Sequence, residues 1–485
     1  MQKENTYAIV ESVVEVYFHK GGVKVKRVSI LVSTGNLGDN IIEKGSFYEG
    51  VKRDIDCFAN DAGTADAGPT FLGADMPHNP IEWERHDLEL LLVESRKKGV
   101  PMIVGSCSTT GTDKAVDRYA QIIREVAKER RLGPFKMALI YSQIDKDELA
   151  KRVERGDTEP LGADYPITEE VLAQTNNVVA MMGVEQIIHA LSFGADVILA
   201  GRACDDAVLA AYPIYKGFPK GISLHMGKAC ECASLVCWPQ KVKESIVATV
   251  THEYFSIEPM HPEQRATPHS VAAHSMYERT NPFIQAVPGG VLDMHECIYV
   301  AENERITRVY GSKFIPSPDG SYKVKIEGAG EIGYRVYHIV GVRDPRAIFY
   351  MDMILQETRR KVSEIIGPHR DKDYQLFFHV YGKNAIMKDF EPVKQTSSHE
   401  VAIVIESISK DKELATAVAK CAKFRLFYMS YPGQMNSSGG SVALLTDEPL
   451  YPQNKCYKWT IDHLLRLDDP LDPKIFRYKF EIVRG

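Results

Sequence analysis

The chain has 485 residues, with 59 Lys and Arg against 65 Asp and Glu, a net charge of −6, and 44% apolar and 26% charged residues. That length exceeds the ~250–300 residues at which one hydrophobic core stops growing, so two domains are expected. The balance excludes a disordered or collagen-like chain, and the lack of a basic excess argues against nucleic acid or an anionic membrane as partner. No apolar run reaches the ~18–20 residues that span a bilayer. The N-terminal stretch MQKENTYAIVESVVEVYFHKGG lacks the order of an export signal, and the nine cysteines are an odd number. A cytoplasmic protein with reduced thiols is therefore expected.

From the N-terminus, one rhythm repeats: an apolar run, a polar Gly-rich turn, then an amphipathic helix. RVSILV (27–32) precedes STGNLGDN, VPMIVG (100–105) precedes SCSTTGTD, KMALIY (136–141) precedes SQIDKDELAKRV, and DVILA (196–200) precedes GRACDDAVLAAY. Val116, Tyr119, Ile122, Ile123 and Val126 recur at three-to-four spacing, which gives one helix an apolar stripe, with Thr112 or Asp113 placed to cap it. Short, nearly continuous apolar strands alternating with helices predict an α/β fold with a mainly parallel sheet covered by helices. From about residue 245 the pattern loosens into β-like alternation, as in SYKVKIEG (321–328). Strands at 377–381 and 400–405, a helix at 414–427 and a final strand in IFRYKFEIV suggest a small C-terminal α+β domain of ferredoxin-like type. The expected division is residues 1–372 and 373–485, with SYPGQMNSSGGS (430–441) a loop by composition.

Ligands collect at the carboxyl ends of parallel strands, so the turns there carry the candidates. Loops 33–40 and 60–73 bring Asn36, Asp39, Asp61, Thr64 and Asp66, whose oxygens suit substrate binding, acid–base work or a Mg²⁺ held by Asp39, Asp61 and Asp66. The competing reading is turn chemistry, because Asp, Asn and Gly are what tight turns use. GSCSTTGTD (105–113) places backbone amides and the hydroxyls of Ser106, Ser108 and Thr109 at a helix start, a pattern for an anion site. Cys107 there is a packed thiol or, less simply, a nucleophile. In GRACDD, Arg202 can grip a carboxylate with two parallel hydrogen bonds, while Asp205 and Asp206 are explained by the helix start itself. HMGKACECASLVCW offers Glu231 as a general base and Cys232 beside it; its C-x-C-x₄-C spacing lacks the second pair that structural zinc shows.

The strings GNLGD, DAGTADAGPTFLGA, ALIYSQIDKDEL, MMGVEQIIHALSFGADVILAGRACDDA, GKACECASL and SVAAHSMYERTNPFIQAVPGGVLD together resemble the acyclic terpene utilisation (AtuA-type) family. RVYGSKFIP, HVYGKNAIM and the stretch from HEVAIVIES to IDHLLRLDDP extend the resemblance over roughly residues 28–475, the last part resembling the ferredoxin-like domain found with that family. The resemblance implies breakdown of carboxylic acids through acyl-CoA intermediates and carries no catalytic residue set of its own. The expectation is a catabolic enzyme acting on a small carboxylic acid or its CoA thioester, a hydratase/dehydratase or isomerase, assembled as a homo-oligomer. Asp39, Asp66, Glu231 and Cys232 are its candidate reacting groups. The alternative is a non-catalytic binding or assembly subunit of such a pathway.

Overall fold

Five nearly continuous apolar segments form parallel strands of one large sheet: β1 (Val28–Val32), β2 (Cys57–Asp61), β3 (Met102–Gly105), β4 (Phe135–Tyr141) and β5 (Val197–Ala200). β1, β2, β3 and β5 are buried at every residue, which is why their sequences do not alternate. Their order is β1-β2-β3-β5-β4, each neighbour parallel. The computed structural model describes residues 26–241, 243–435, 442–452 and 454–485; the N-terminal stretch read for an export signal and residues 436–441 of the glycine-rich loop lie outside them.

The sheet is mixed rather than mainly parallel. Beyond β1, the strands Ile246–Val250, Tyr254–Pro259, Thr307–Tyr310 and Ile298–Ala301 add antiparallel, and Arg477–Val483 runs antiparallel beside β4. The looser pattern after residue 245 is therefore half of this sheet. Short turns join Ile246–Val250 to Tyr254–Pro259 and Ile298–Ala301 to Thr307–Tyr310, and alternation marks strands with one solvated face: Tyr254–Pro259 alternates half-buried and buried residues. At the first turn the Thr251 hydroxyl accepts the Tyr254 amide at 3.0 Å.

Helices cover the parallel strands as their stripes predict. In α1 (Asp113–Glu129), Val116, Tyr119, Ile122, Ile123 and Val126 are buried, and burial of side chains of this size stabilises by about 1.5–3 kcal/mol each. Thr112, not Asp113, is its cap, accepting the Ala115 amide at 3.3 Å. Two further helices matter for the site: α2 (Asp205–Tyr215), after β5, and α3 (Lys220–Cys230). No helix among the described residues is long and apolar enough to cross a membrane.

The chain divides into two compact units. One runs to Ala329 and resumes over Trp459–Gly485; it contains the large sheet. The other is Gly330–Lys458. The expected break at 372/373 falls inside the second unit, because the strand Tyr322–Val342 passes from one unit to the other without a linker. The closing strand Arg477–Val483, expected in the small domain, belongs to the first unit's sheet. Within the second unit, Tyr374–Tyr381, Val401–Ser409, residues 330–342 and Val442–Leu444 lie in that order with antiparallel neighbours. Helices Met351–Ile366 and Lys412–Phe427 supply Ile354, Val362, Val418 and Ala422 to a core shared with Val340, Ile403 and Ile405.

Candidate functional site

The carboxyl ends of β1, β2, β3 and β5 bring four loops together. Two glycines make the approach close enough. A Cβ on Gly63 would stand 2.4 Å from the Ser106 Cβ and 2.5 Å from an Arg202 guanidinium nitrogen, and one on Gly105 would stand 2.7 Å from Asp61 Oδ1. In the loop after β3, Ser106, Ser108 and Thr109 take the left-handed region with φ of 48°, 49° and 67°. Three non-glycine residues so placed cost free energy that the surrounding contacts must offset, a pattern concentrated at functional sites.

Those contacts consume the loop's own polar groups. The amides of Ser106 and Cys107 donate to the carbonyls of Gly201 and Ala200 at 3.0 and 3.1 Å, and those of Thr109 and Gly111 to Ala62 and Cys107. The Ser108 hydroxyl donates to Glu84 at 2.5 Å, the Ser106 hydroxyl accepts from the Ala203 amide at 3.2 Å, and the Thr109 hydroxyl meets the Ala62 carbonyl at 3.4 Å. The cradle of free amides and hydroxyls expected over 105–113 is thus internally satisfied; this loop positions the neighbouring strand ends.

Arg202 is buried and already engaged. Its Nε donates to Glu327 at 3.1 Å and a terminal nitrogen to the Thr109 carbonyl at 3.4 Å. Glu327 also pairs with Lys325 at 2.9 Å. Burial pushes the Glu327 carboxyl up, and Arg202 and Lys325 outweigh that push and hold it below its ordinary range. Arg202, Glu327, Thr64, Thr109, Phe71, Leu72 and Trp459 line a small pocket.

Around this pair sit carboxyls that outnumber the cations touching them. Asp61 accepts the Gly63 amide at 2.9 Å through one oxygen, while its other oxygen is buried without a hydrogen-bond partner. Burial and then the charge of Asp205, against the opposing pull of Arg202, push Asp61 up to about 8. Glu231, one residue past α3, pairs with Lys228 and is pushed up to about 8 by burial and by Asp205. Asp206 accepts from Gln285 at 2.9 Å and is pushed up to about 6 by burial and by Asp205. Asp205 is the common neighbour: burial raises it too, while Arg202 and Lys228 favour its ionised form.

The other expected residues divide. Asn36 donates to Asp39, which pairs with His78 at 2.9 Å, and the buried carbonyl oxygen of Asn36 has no partner. Asp66 is exposed, its amide donating to the Thr64 hydroxyl at 3.1 Å. Asp39, Asp61 and Asp66 do not assemble as a Mg²⁺ ligand set: among the described residues no group of three or more His, Cys, Asp or Glu is arranged to hold a metal. The Cys232 sulfur lies 3.4 Å from the Tyr277 hydroxyl, and burial raises its thiol. Cys107 and Cys230 are fully buried with thiols pushed far up by burial, the state of packed cysteines. His225 sits between Ser275 and Ser312, and burial lowers it to about 3, so it is a neutral core histidine.

Asp205, Asp206, Lys228, Glu327 and Tyr277 complete the cluster without having stood among the expected site residues. The two aspartates were masked by an adequate local explanation, charge at a helix start. Lys325 and Glu327 had a signal: charged residues two apart on one face of a strand that buries Val324 and Ile326 on the other.

Neither the curated proteins nor the solved structures contain a match to this chain. A family model, described as acyclic terpene utilisation family protein AtuA, matches residues 28–238 and 248–453, and so spans both the strand-end cluster and most of the second unit. The chain belongs to the acyclic terpene utilisation (AtuA) family.

Proposed function

We propose that the chain is a catabolic enzyme acting on a small carboxylic acid or its CoA thioester, by hydration/dehydration or isomerisation beside a carbonyl. The observation that carries this reading is the separation of proton affinities within one strand-end cluster. Asp61 and Glu231, at about 8, hold protons at neutral pH, while Asp206, at about 6, is mostly ionised. Neighbouring carboxyls pushed apart in this way supply an acid and a base for one proton-transfer reaction. Glu231 and Asp61 donate; Asp206 accepts, its ionised form favoured by Lys228. Arg202, fixed by Glu327, opposes the upward push on Asp61 and Asp205 rather than gripping substrate outright. The family's association with acyclic terpene utilisation supports a catabolic setting.

The test is exchange in D₂O. A panel of short-chain acids, hydroxy acids and their CoA thioesters is incubated with the protein and followed by proton NMR. Deuterium entering beside the carbonyl, or a hydration product, is expected with wild type and is expected to be lost in Asp61→Asn and Glu231→Gln. Turnover undiminished in both variants would refute the assignment.

A second reading, a subunit that binds without turning over, draws on the exposed Phe349, Ile386 and Phe390 of the second unit, at 78%, 78% and 86%. That unit's element order, β-α-β-β-α-β, and its antiparallel strand order support a ferredoxin-like assignment over 330–444. Silence across the substrate panel would put this reading first.

A further inference from the structure

Lys243 differs from the other cations of the strand-end cluster. Among the described residues its ammonium has neither an ion pair nor a hydrogen bond, whereas Lys228 pairs with Glu231 and Arg202 with Glu327. Its stem crosses Gly35: a Cβ there would lie 2.7 Å from Lys243 Cδ and 2.8 Å from the backbone of Cys232. Glycine at that position leaves room for the Cys232 backbone and the lysine stem together. On the far side, the Cys232 sulfur meets the Tyr277 hydroxyl at 3.4 Å. The Tyr277 ring carries Lys228 Nζ at 4.4 Å from its centroid and stacks on His274 at 4.7 Å. His274 Nε2 is buried and has no hydrogen-bond partner. Burial, then Lys228 and Lys243, lower that imidazole to about 4, which leaves it neutral and able to donate one hydrogen bond.

An unpaired ammonium, a second cation whose partner Glu231 holds a proton at neutral pH, and an imidazole nitrogen without a partner thus lie within electrostatic reach of one another around Cys232 and Tyr277. A carboxylate satisfies all three, because it offers two oxygens and one negative charge. We propose that Lys243, His274 and Lys228 form the binding site for a carboxylate of the substrate, walled by Gly35, Cys232 and Tyr277. The proposal rests on the acid–base reading above and narrows its substrate class. The molecule carries a free ionised carboxylate, whether or not another end is a thioester, and that carboxylate sits beside the proton donor Glu231.

Cys232 reports on this site without any need for turnover. The full chain is alkylated in parallel with iodoacetate, itself a carboxylate, and with neutral iodoacetamide, and modification of Cys232 is followed by peptide mass spectrometry. The readout is the ratio of the two rates, since loss of a nearby cation also alters the thiol and slows both reagents together. Lys243→Gln is expected to lower the ratio about tenfold, the scale set by removing one unit charge near a partly buried site. Succinate at constant ionic strength is expected to shield Cys232 from iodoacetamide in wild type and not in Lys243→Gln. A ratio unchanged by the substitution, or succinate that shields neither form, overturns the proposal. Should Cys232 react too slowly to follow, the melting temperature is read in succinate: a rise in wild type that Lys243→Gln abolishes supports the site, and no rise in wild type overturns it. If the D₂O experiment fails while the alkylation ratio still depends on Lys243, the carboxylate site stands and the reaction class falls.

Discussion

Asp61→Asn should make the protein more stable, and increasingly so as pH rises. In the unfolded chain the carboxyl ionises near 3.8; in the native state burial and Asp205 move that to about 8. Between those values the native state binds a proton that the unfolded state has released. Each pH unit across the window therefore removes up to about 1.4 kcal/mol of stability, the loss being complete above the folded value. Over the whole window the upper estimate is about 6 kcal/mol. The opposing pull of Arg202 is already contained in that folded value; relaxation and water entry around an ionised Asp61 bring the net cost near pH 8 down to about 2–4 kcal/mol. Asparagine carries no such cost and keeps an oxygen for the Gly63 amide. Urea unfolding of wild type and variant at about pH 5 and about pH 8 reads the effect. The midpoint difference should move in favour of the variant with rising pH. A difference independent of pH, or one that moves in favour of wild type, would refute the assignment of a buried, protonated Asp61.

Four other outcomes follow from the same geometry. Glu327→Gln strands two cations, Arg202 and Lys325, and should cost about 3–5 kcal/mol in denaturant unfolding; a neutral result would show that the pair is not buried as described. Gly63→Ala drives a methyl into Ser106 and Arg202 and should cost about 1–3 kcal/mol, seen as a lower melting temperature. Once a substrate is found, kcat/KM should fall above about pH 8 as Asp61 and Glu231 lose their protons, and below about pH 6 as Asp206 gains one. Cys107→Ala should leave turnover intact, because burial keeps that thiol protonated; abolished turnover in a folded variant would reopen thiol catalysis.

The parallel half of the sheet is legible in the sequence because burial on both faces leaves unbroken apolar runs such as Ile30–Val32 and Val197–Ala200. The antiparallel half is not, since alternating strands such as Tyr254–Pro259 look alike whether they extend an existing sheet or begin a new domain. The division between units was hidden for a related reason: no Gly/Pro-rich linker interrupts Tyr322–Val342 where the chain passes between them. At the site, Asp61, Arg202 and Glu231 could be singled out from their turns. Their chemical states could not, because Asp61 owes its affinity to burial in the assembled fold and then to Asp205, 144 positions along the chain. Arg202 finds its partner 125 positions away. Asp39 and Asp66 look equivalent to Asp61 as loop aspartates, and only burial separates them.

The central claim is that two carboxyls of this cluster are protonated at neutral pH. Infrared difference spectra of wild type against Asp61→Asn and against Glu231→Gln, taken across the neutral range, test it directly through the carbonyl stretch that only a protonated carboxyl shows. The account predicts that each substitution removes such a band at pH 7 and that both bands fade from wild type as pH passes about 8. Spectra in which neither substitution removes a protonated-carboxyl band at pH 7 would contradict it.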